Sequence, residues 1–142
     1  MGRTVEKIKI LNYVDVVKAS EKLIPESSVR KIELEAIVDT GATYVCVGRK
    51  DIENLGLRFH KIVKIKTANG DVKRRLFRGA EVELKGRSFE MEILENDDNT
   101  PPLIGYLLLE ALDFVIDPKS RKVIPNPDHD GEWVADLYRA VP

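Results

Sequence analysis

The sequence predicts an all-β fold, a closed barrel-like domain with one short helix in its C-terminal part. Three observations carry that expectation. Apolar residues recur with a period of two in seven or eight short segments, as in Ile32, Leu34, Ala36 and Val38 or in Phe89, Met91 and Ile93. Successive strand residues point to opposite faces, so this spacing marks strands with one buried side. Turn formers separate the segments, among them Asn69-Gly70, Lys85-Gly86-Arg87 and the run Asn96 to Pro102. Tyr106 to Leu112, by contrast, lacks β-branched residues and can place Leu107, Leu108 and Leu112 on a shared helical face.

In chain order, Val5 to Ile10 alternates in part and reads as a strand running toward Tyr13; Val14, Val16 and Val17 extend it or begin a second one. Leu23 to Ser28 is a loop, broken by Pro25 and two serines. Ile32 to Val38 is a strand with one core face, its Glu33 and Glu35 turned to solvent, and it delivers Asp39. Thr43 to Val47 is a short strand after a turn, and Asp51 to Gly56 is one or two helical turns with a glycine stop. Val63, Ile65 and Thr67 alternate with lysines and lead into Ala68-Asn69-Gly70-Asp71. There the Asn-Gly pair, tolerant of positive φ, predicts a tight hairpin. The return strand Val72 to Phe77 is polar and basic, so this hairpin is exposed on at least one face and projects from the body. Val82 and Leu84 pair with Phe89 to Ile93 around Lys85-Gly86-Arg87. Leu103-Ile104-Gly105 is an apolar burst before the helix, and Phe114-Val115-Ile116 is a last core strand whose turn at Asp117 to Ser120 leads back to Val123-Ile124. Pro125 and Pro127 close the domain, residues 1–127. Residues 128–142 form a C-terminal extension in which Trp133, Leu137 and Val141, at i, i+4 and i+8, predict a short amphipathic helix.

The 142 residues fit one domain and are enough to bury a sizeable core. With 23 Lys and Arg against 24 Asp and Glu, the net charge is -1, so no global basic field draws in nucleic acid. The cluster Lys73-Arg74-Arg75 with Arg78 reads as a solvated strand face. The single cysteine, Cys46, lies in an apolar run and reads as a buried structural thiol. His60 and His129 stand far apart without metal-ligand spacing, so neither a metal nor another cofactor is expected. No apolar run is long enough to cross a bilayer, the N-terminal residues have no signal-like stretch, and the expected compartment is the cytosol.

Ile37-Val38-Asp39-Thr40-Gly41-Ala42 is the stretch that carries chemistry. An apolar strand ends abruptly in a carboxylate, a hydroxyl and a glycine. Asp39 is expected at the end of a core strand, partly desolvated and on a rigid base, where a carboxylate needs partners or a task. Asp-x-Gly alone is ordinary turn chemistry. The order in which the other features follow it is more specific: the Asn69-Gly70 hairpin, then Leu103-Ile104-Gly105, a leucine-rich helix and Phe114-Val115-Ile116-Asp117. From Val29 to Pro127 this resembles the retroviral-like, retropepsin-type aspartic proteases in their short single-domain cellular form. The resemblance implies a retropepsin fold with Asp39 as the catalytic residue. It also implies that the Thr40 hydroxyl locks two active-site loops together across a subunit boundary, and that Gly41 brings its N–H to the carboxylate. Ala42 belongs to the same loop, Ile104 and Gly105 support it from below, and Thr67-Ala68-Asn69-Gly70 form the flap over a bound polypeptide. Retroviral members often carry a polar, dimer-tying residue where this chain has Tyr106.

Aspartic protease chemistry needs two carboxylates that share one proton, one acting as base toward a water and the other as acid toward the scissile carbonyl. The chain has one Asp-Thr-Gly, and Asp113, Asp117 and Asp136 are not followed by x-Gly. The second carboxylate therefore comes from a second copy, in a symmetric homodimer. Ala42, unlike a serine or threonine there, donates no hydrogen bond to the ionised pair, which predicts a mildly acidic to near-neutral optimum. The rival reading is a non-catalytic peptide-binding or dimerisation module with the same fold. A glycosidase or metal-dependent hydrolase using Asp39 with Glu33, Glu35 or Asp51 is a third, weakened by the outward alternation of the two glutamates.

Overall fold

The protein is seen in a computed structural model that describes residues 3–137. Nine strands are formed among the described residues: β1 (Val5–Asn12), β2 (Lys31–Val38), β3 (Val45–Gly48), β4 (Arg58–Thr67), β5 (Gly70–Leu84), β6 (Arg87–Asn96), β7 (Leu103–Ile104), β8 (Phe114–Ile116) and β9 (Val123–Pro125). The helices are α1 (Tyr13–Ser20), α2 (Arg49–Leu55) and α3 (Tyr106–Leu112). β1 pairs with β2, β2 with β7, β7 with β3, β3 with β6, β6 with β5, and β5 again with β1, so the ladder closes into a ring. The period-two apolar residues fill it: Ile8 and Ile10, Ala36 and Val38, Val45 and Val47, Val82 and Leu84, and Ile93 pack together with Ile52 and Leu55 of α2 and Leu108 and Leu112 of α3. On the outer face of β1 and β2, Lys7 stands opposite Glu35 and Lys9 opposite Glu33, so the two exposed glutamates meet cross-strand cations.

β4 lies outside the ring. It pairs with β5 from Gly70 to Arg78, whereas β6 and β1 take the other end of β5, from Leu76 and Ala80 onward. The register slips in both pairings, between Phe59 and Lys61 in β4 and between Phe77 and Ala80 in β5, where Gly79 has φ 94°. Bulges of this kind bend a strand and raise its twist. The far half of the β4–β5 hairpin thus leaves the ring as an arm with a largely exposed tip.

One segment departs from the sequence reading. Val14, Val16 and Val17 neither extend β1 nor start a strand; they lie in α1. Local side-chain chemistry outweighs their β propensity. The Asn12 side chain caps the helix by accepting from the Asp15 N–H (3.0 Å), and its amide donates to the Leu55 carbonyl (2.8 Å). The buried Asp15 carboxylate accepts from the backbone N–H of Arg30 (3.0 Å), from its Nε (2.8 Å) and from its Nη2 (3.0 Å). The predicted loop at Leu23 to Ser28 contains a single 3-10 turn, Glu26–Ser28.

The C-terminal segment also differs. Residues 132–137 are not helical; Val141 and the rest of the expected helix lie outside the described residues. Trp133 is anchored instead by Nε1 donating to the Ala111 carbonyl (2.9 Å). Arg87 reinforces the crossing: Nη1 donates to the Leu112 carbonyl (2.7 Å), Nη2 to the Gly131 carbonyl (2.9 Å), and the guanidinium lies over the rings of Phe114 and Trp133. Asp113 accepts from the Val134 N–H (3.1 Å) and pairs with His129 Nδ1 (2.6 Å), and the His129 bond leads in holding its carboxyl below the usual range. These bonds fix the segment in an extended path across α3, which an isolated 3.6-residue apolar spacing does not reveal.

Candidate active site

Asp39 follows the last residue of β2. Its N–H donates to the Ile104 carbonyl (2.9 Å), one step beyond the parallel pairing of Val38 with Ile104. Its carbonyl accepts from the Ala42 N–H (3.0 Å), and its Oδ1 accepts from the Gly41 N–H (2.9 Å). A Cβ on residue 41 would stand 3.2 Å from that same Oδ1, so the glycine lets the backbone approach the carboxylate. One oxygen of Asp39 is thereby held by its own turn.

The turn rests on α3. The Ala42 carbonyl accepts from the Tyr106 N–H (2.8 Å) and the Thr43 carbonyl from the Leu107 N–H (3.2 Å), so the Asp39 loop satisfies N–H groups that a helix start leaves open. Gly105 joins the two. A Cβ there would meet the Thr43 carbonyl carbon and the Tyr44 oxygen at 2.5 Å and the Ala42 oxygen at 2.7 Å. With φ -86° the backbone would accept any residue, so the requirement is for space alone. Ile104 and Gly105 are buried beneath the loop, whereas Asp39, Thr40 and Gly41 are exposed and Ala42 is half-buried. The partial desolvation expected for Asp39 is thus not present in the single chain. A turn at the rim of the ring has no further chain layer over it.

The hairpin turn is displaced by one residue from its sequence assignment. Thr67 pairs with Gly70, so the loop residues are Ala68 and Asn69, and Gly70, with φ 113°, begins the return strand. The Thr67 hydroxyl decides this: Oγ1 donates to the Gly70 carbonyl (2.6 Å) and accepts from the Asn69 N–H (3.2 Å). A two-residue turn with both φ values positive does form, but at Lys85 (49°) and Gly86 (82°). Below the tip, Val63 and Ile65 pack with Tyr44 and Leu103 on a small second core of Cys46, Leu76 and Leu94. Cys46 pairs with Leu103 across β3 and β7, which ties this core to the strands flanking the Asp39 turn. Burial, followed by the charge of Asp39, pushes the Cys46 thiol up to about 12.

Two pairings had no signal in the sequence. His60 Nδ1, at the β4 bulge, lies 2.6 Å from Glu92 Oε2 on β6, and His129 meets Asp113 as described. Both are long-range contacts made by bends and crossings, which residue spacing does not encode. Two residues of the basic run are paired in place: Arg75 Nε donates to Glu95 (2.9 Å), and Arg74 lies 3.4 Å from Asp97.

The closed ring, with its Asp-Thr-Gly-Ala turn seated on Ile104-Gly105, places the chain in the retropepsin class of aspartic proteases. A family model described as aspartyl protease matches residues 26–108, more than half of the chain, and the chain belongs to that family. The matched span contains the Asp39 turn, the β4–β5 arm and Gly105. Among solved structures, the EIAV protease complexed with the inhibitor HBY-793 is similar over 77% of this chain and 86% of its own, with a TM-score of 0.55 and 17% identity. That likeness is one of fold. No curated protein sequence matches the chain.

Proposed function

We propose that the protein is an aspartic endopeptidase acting as a homodimer, with Asp39 of each of two copies forming the catalytic pair. The observation that carries this reading is the Asp39 turn itself: a carboxylate braced by Ile104, Gly41, Ala42 and the start of α3, yet exposed in the single chain. Placed against its twin about 3 Å away, it shares a single proton, because two such carboxylates resist double ionisation. The ionised member takes a proton from a bound water, whose oxygen attacks the peptide carbon. The protonated member gives its proton to the carbonyl oxygen, leaving a tetrahedral diol. The member that took the water proton then protonates the amide nitrogen while the other takes back a hydroxyl proton, so the C–N bond breaks, the amine and the carboxylic acid leave, and the dyad again holds one proton. Asp39 is the catalytic residue; Gly41, through its N–H, fixes one Asp39 oxygen. Thr40, exposed beside Asp39, is positioned to tie the two turns together, with Ala42, Ile104 and Gly105 as their support. Thr67, Ala68, Asn69 and Gly70 close over the polypeptide, and the bulges at His60 and Gly79 give the arm its bend.

The test is cleavage of an unfolded protein such as reduced casein. Asp39→Asn should lower the rate by on the order of 10^2–10^4-fold, the range for losing an acid–base group, while sedimentation still shows a dimer. Peptide binding without cleavage by the wild-type dimer would instead establish the non-catalytic module.

A further inference from the structure

A depression of about 570 Å³ lies beside the candidate site, between β6 and the outer face of α3. Phe89 and Met91 line it from β6, Leu107 and Ala111 from α3, and Tyr44 joins them. Leu107 does not share the buried face of Leu108 and Leu112 as its spacing suggested; it stands with Glu110 and Ala111, at i, i+3 and i+4, on the exposed side of the helix, and Leu109 takes its place in the core. Phe89 is 44% and Leu107 37% exposed, so this apolar surface is open to solvent rather than closed by its own side chains. Glu92 and Glu110 are the charged residues of the lining, and no Lys or Arg lines it among the described residues. A second depression of about 610 Å³ shares Phe89, Glu110 and Ala111 and continues along α3 to Asp136, making one elongated trough.

The trough is continuous with the active-site machinery at two points. Tyr44 lines it and also packs on the small core beneath the β4–β5 arm, and the Tyr44 carbonyl lies against Gly105 under the Asp39 turn. Glu92 lines it and pairs with His60 at the bend of the arm. The trough and the Asp39 turn thus share Tyr44 as a common wall and support.

We infer that this trough is an auxiliary docking site for the substrate polypeptide, away from the scissile bond, and that it takes a large apolar side chain with a Lys or Arg beside it. The inference rests on the endopeptidase reading for the identity of the occupant. The apolar walls supply burial, and the Glu110 carboxylate selects a neighbouring cation and disfavours an acidic residue, Glu92 being already paired with His60. Such a site makes long or unfolded substrates better than short ones, because the second contact becomes intramolecular once the first is made.

The experiment uses Asp39→Asn protein, which binds without consuming the probe, and two fluorescein-labelled Gly/Ser peptides that differ only in carrying Phe-Lys or Phe-Glu. Fluorescence polarisation should show the Phe-Lys peptide binding about five- to tenfold more tightly, since exchanging attraction for repulsion at a partly exposed rim is worth about twice one surface ion pair. Glu110→Lys, on an exposed helix position, should reverse the preference, and thermal melting verifies that it folds. Equal binding of the two peptides, binding of neither, or a preference untouched by Glu110→Lys overturns the proposal. So does dissociation of the dimer by Glu110→Lys or Phe89→Ser, which would make this face a contact between copies. Casein cleavage by the wild type is measured alongside: its absence sinks the endopeptidase reading, whereas cleavage without the peptide preference sinks the auxiliary site alone.

Discussion

Gly105→Ala isolates how the Asp39 turn is held. The added methyl carbon would sit 2.5 Å from the Thr43 carbonyl carbon, 2.5 Å from the Tyr44 oxygen and 2.7 Å from the Ala42 oxygen. All three are backbone atoms, so no side chain can swing away, and either the loop or the start of α3 must move. The φ of -86° adds no strain of its own. The cost is that of overpacking, about 3 kcal/mol, which for a chain of this size corresponds to roughly 10 °C in Tm. Because the displaced carbonyls are the ones that anchor the turn on Tyr106 and Leu107, activity should fall further than stability. A shift of about 1 Å in a catalytic group costs on the order of 10^2-fold. Differential scanning fluorimetry and casein cleavage below the melting range check both numbers. Gly86→Ala, with φ 82° and nothing within 4 Å of the new methyl, serves as a comparison that costs only about 1 kcal/mol of backbone strain. If Gly105→Ala melts and cleaves like the wild type, the turn does not rest on α3 in the way described.

Other expectations concern the supports around that turn. The Arg30 side-chain hydrogen bonds hold the Asp15 carboxyl below the usual carboxylate range. A carboxyl with a depressed folded-state pKa contributes stability above its unfolded value, about pH 4, and that contribution is lost as pH falls through the lower folded value. Asp15→Asn should therefore cost about 2 kcal/mol at neutral pH and flatten the fall in urea midpoint between pH 4 and acid, and an unchanged pH dependence would contradict the pairing. Cys46, 5% exposed with its thiol pushed up to about 12, should resist iodoacetamide at pH 8 in the native protein and react in urea; rapid native labelling would show that the core beneath the arm opens. Thr67→Val removes both hydroxyl bonds of the hairpin tip, worth up to about 1 kcal/mol each, and should speed amide exchange from Thr67 to Asp71 more than in the strands of the ring; equal protection at the tip would contradict the role of the hydroxyl. Casein cleavage should peak between mildly acidic and neutral pH, because Ala42 gives the carboxylate pair no hydroxyl donor; a maximum below about pH 3.5 would contradict that.

Most of the ring was legible because its strands obey a period of two with one wet face, as Ile32 to Val38 shows, and because Gly56 and Lys85-Gly86 punctuate the chain where it turns. α1 was not legible from Val14, Val16 and Val17, since its cause is a capping and ion-pair network that joins Asn12 and Asp15 to Leu55 and Arg30, well separated in sequence. The hairpin was foreseen but its turn was misplaced by one residue, because the Thr67 hydroxyl outweighs the Asn-Gly preference. The residue types around Asp39 announced a turn, and the short apolar run before Gly105 announced a buried strand, β7, which lies against it. The exposure of Asp39 was missed, since strand burial says where the carboxylate starts from and not what covers it. Trp133 suggested a helix by spacing, yet Arg87 and Ala111 hold it in an extended crossing.

The claim that one active site takes a carboxylate from each of two copies is tested most directly by subunit mixing. Wild-type chain at fixed concentration is exchanged with increasing Asp39→Asn chain, and casein cleavage per wild-type subunit is followed. Random pairing predicts a fall to about one half at equal amounts and to about one tenth at a ninefold excess, because each mixed dimer lacks one acid. Cleavage that stays constant as the variant is added, under conditions where exchange is verified, would mean that a single Asp39 suffices and would contradict the account.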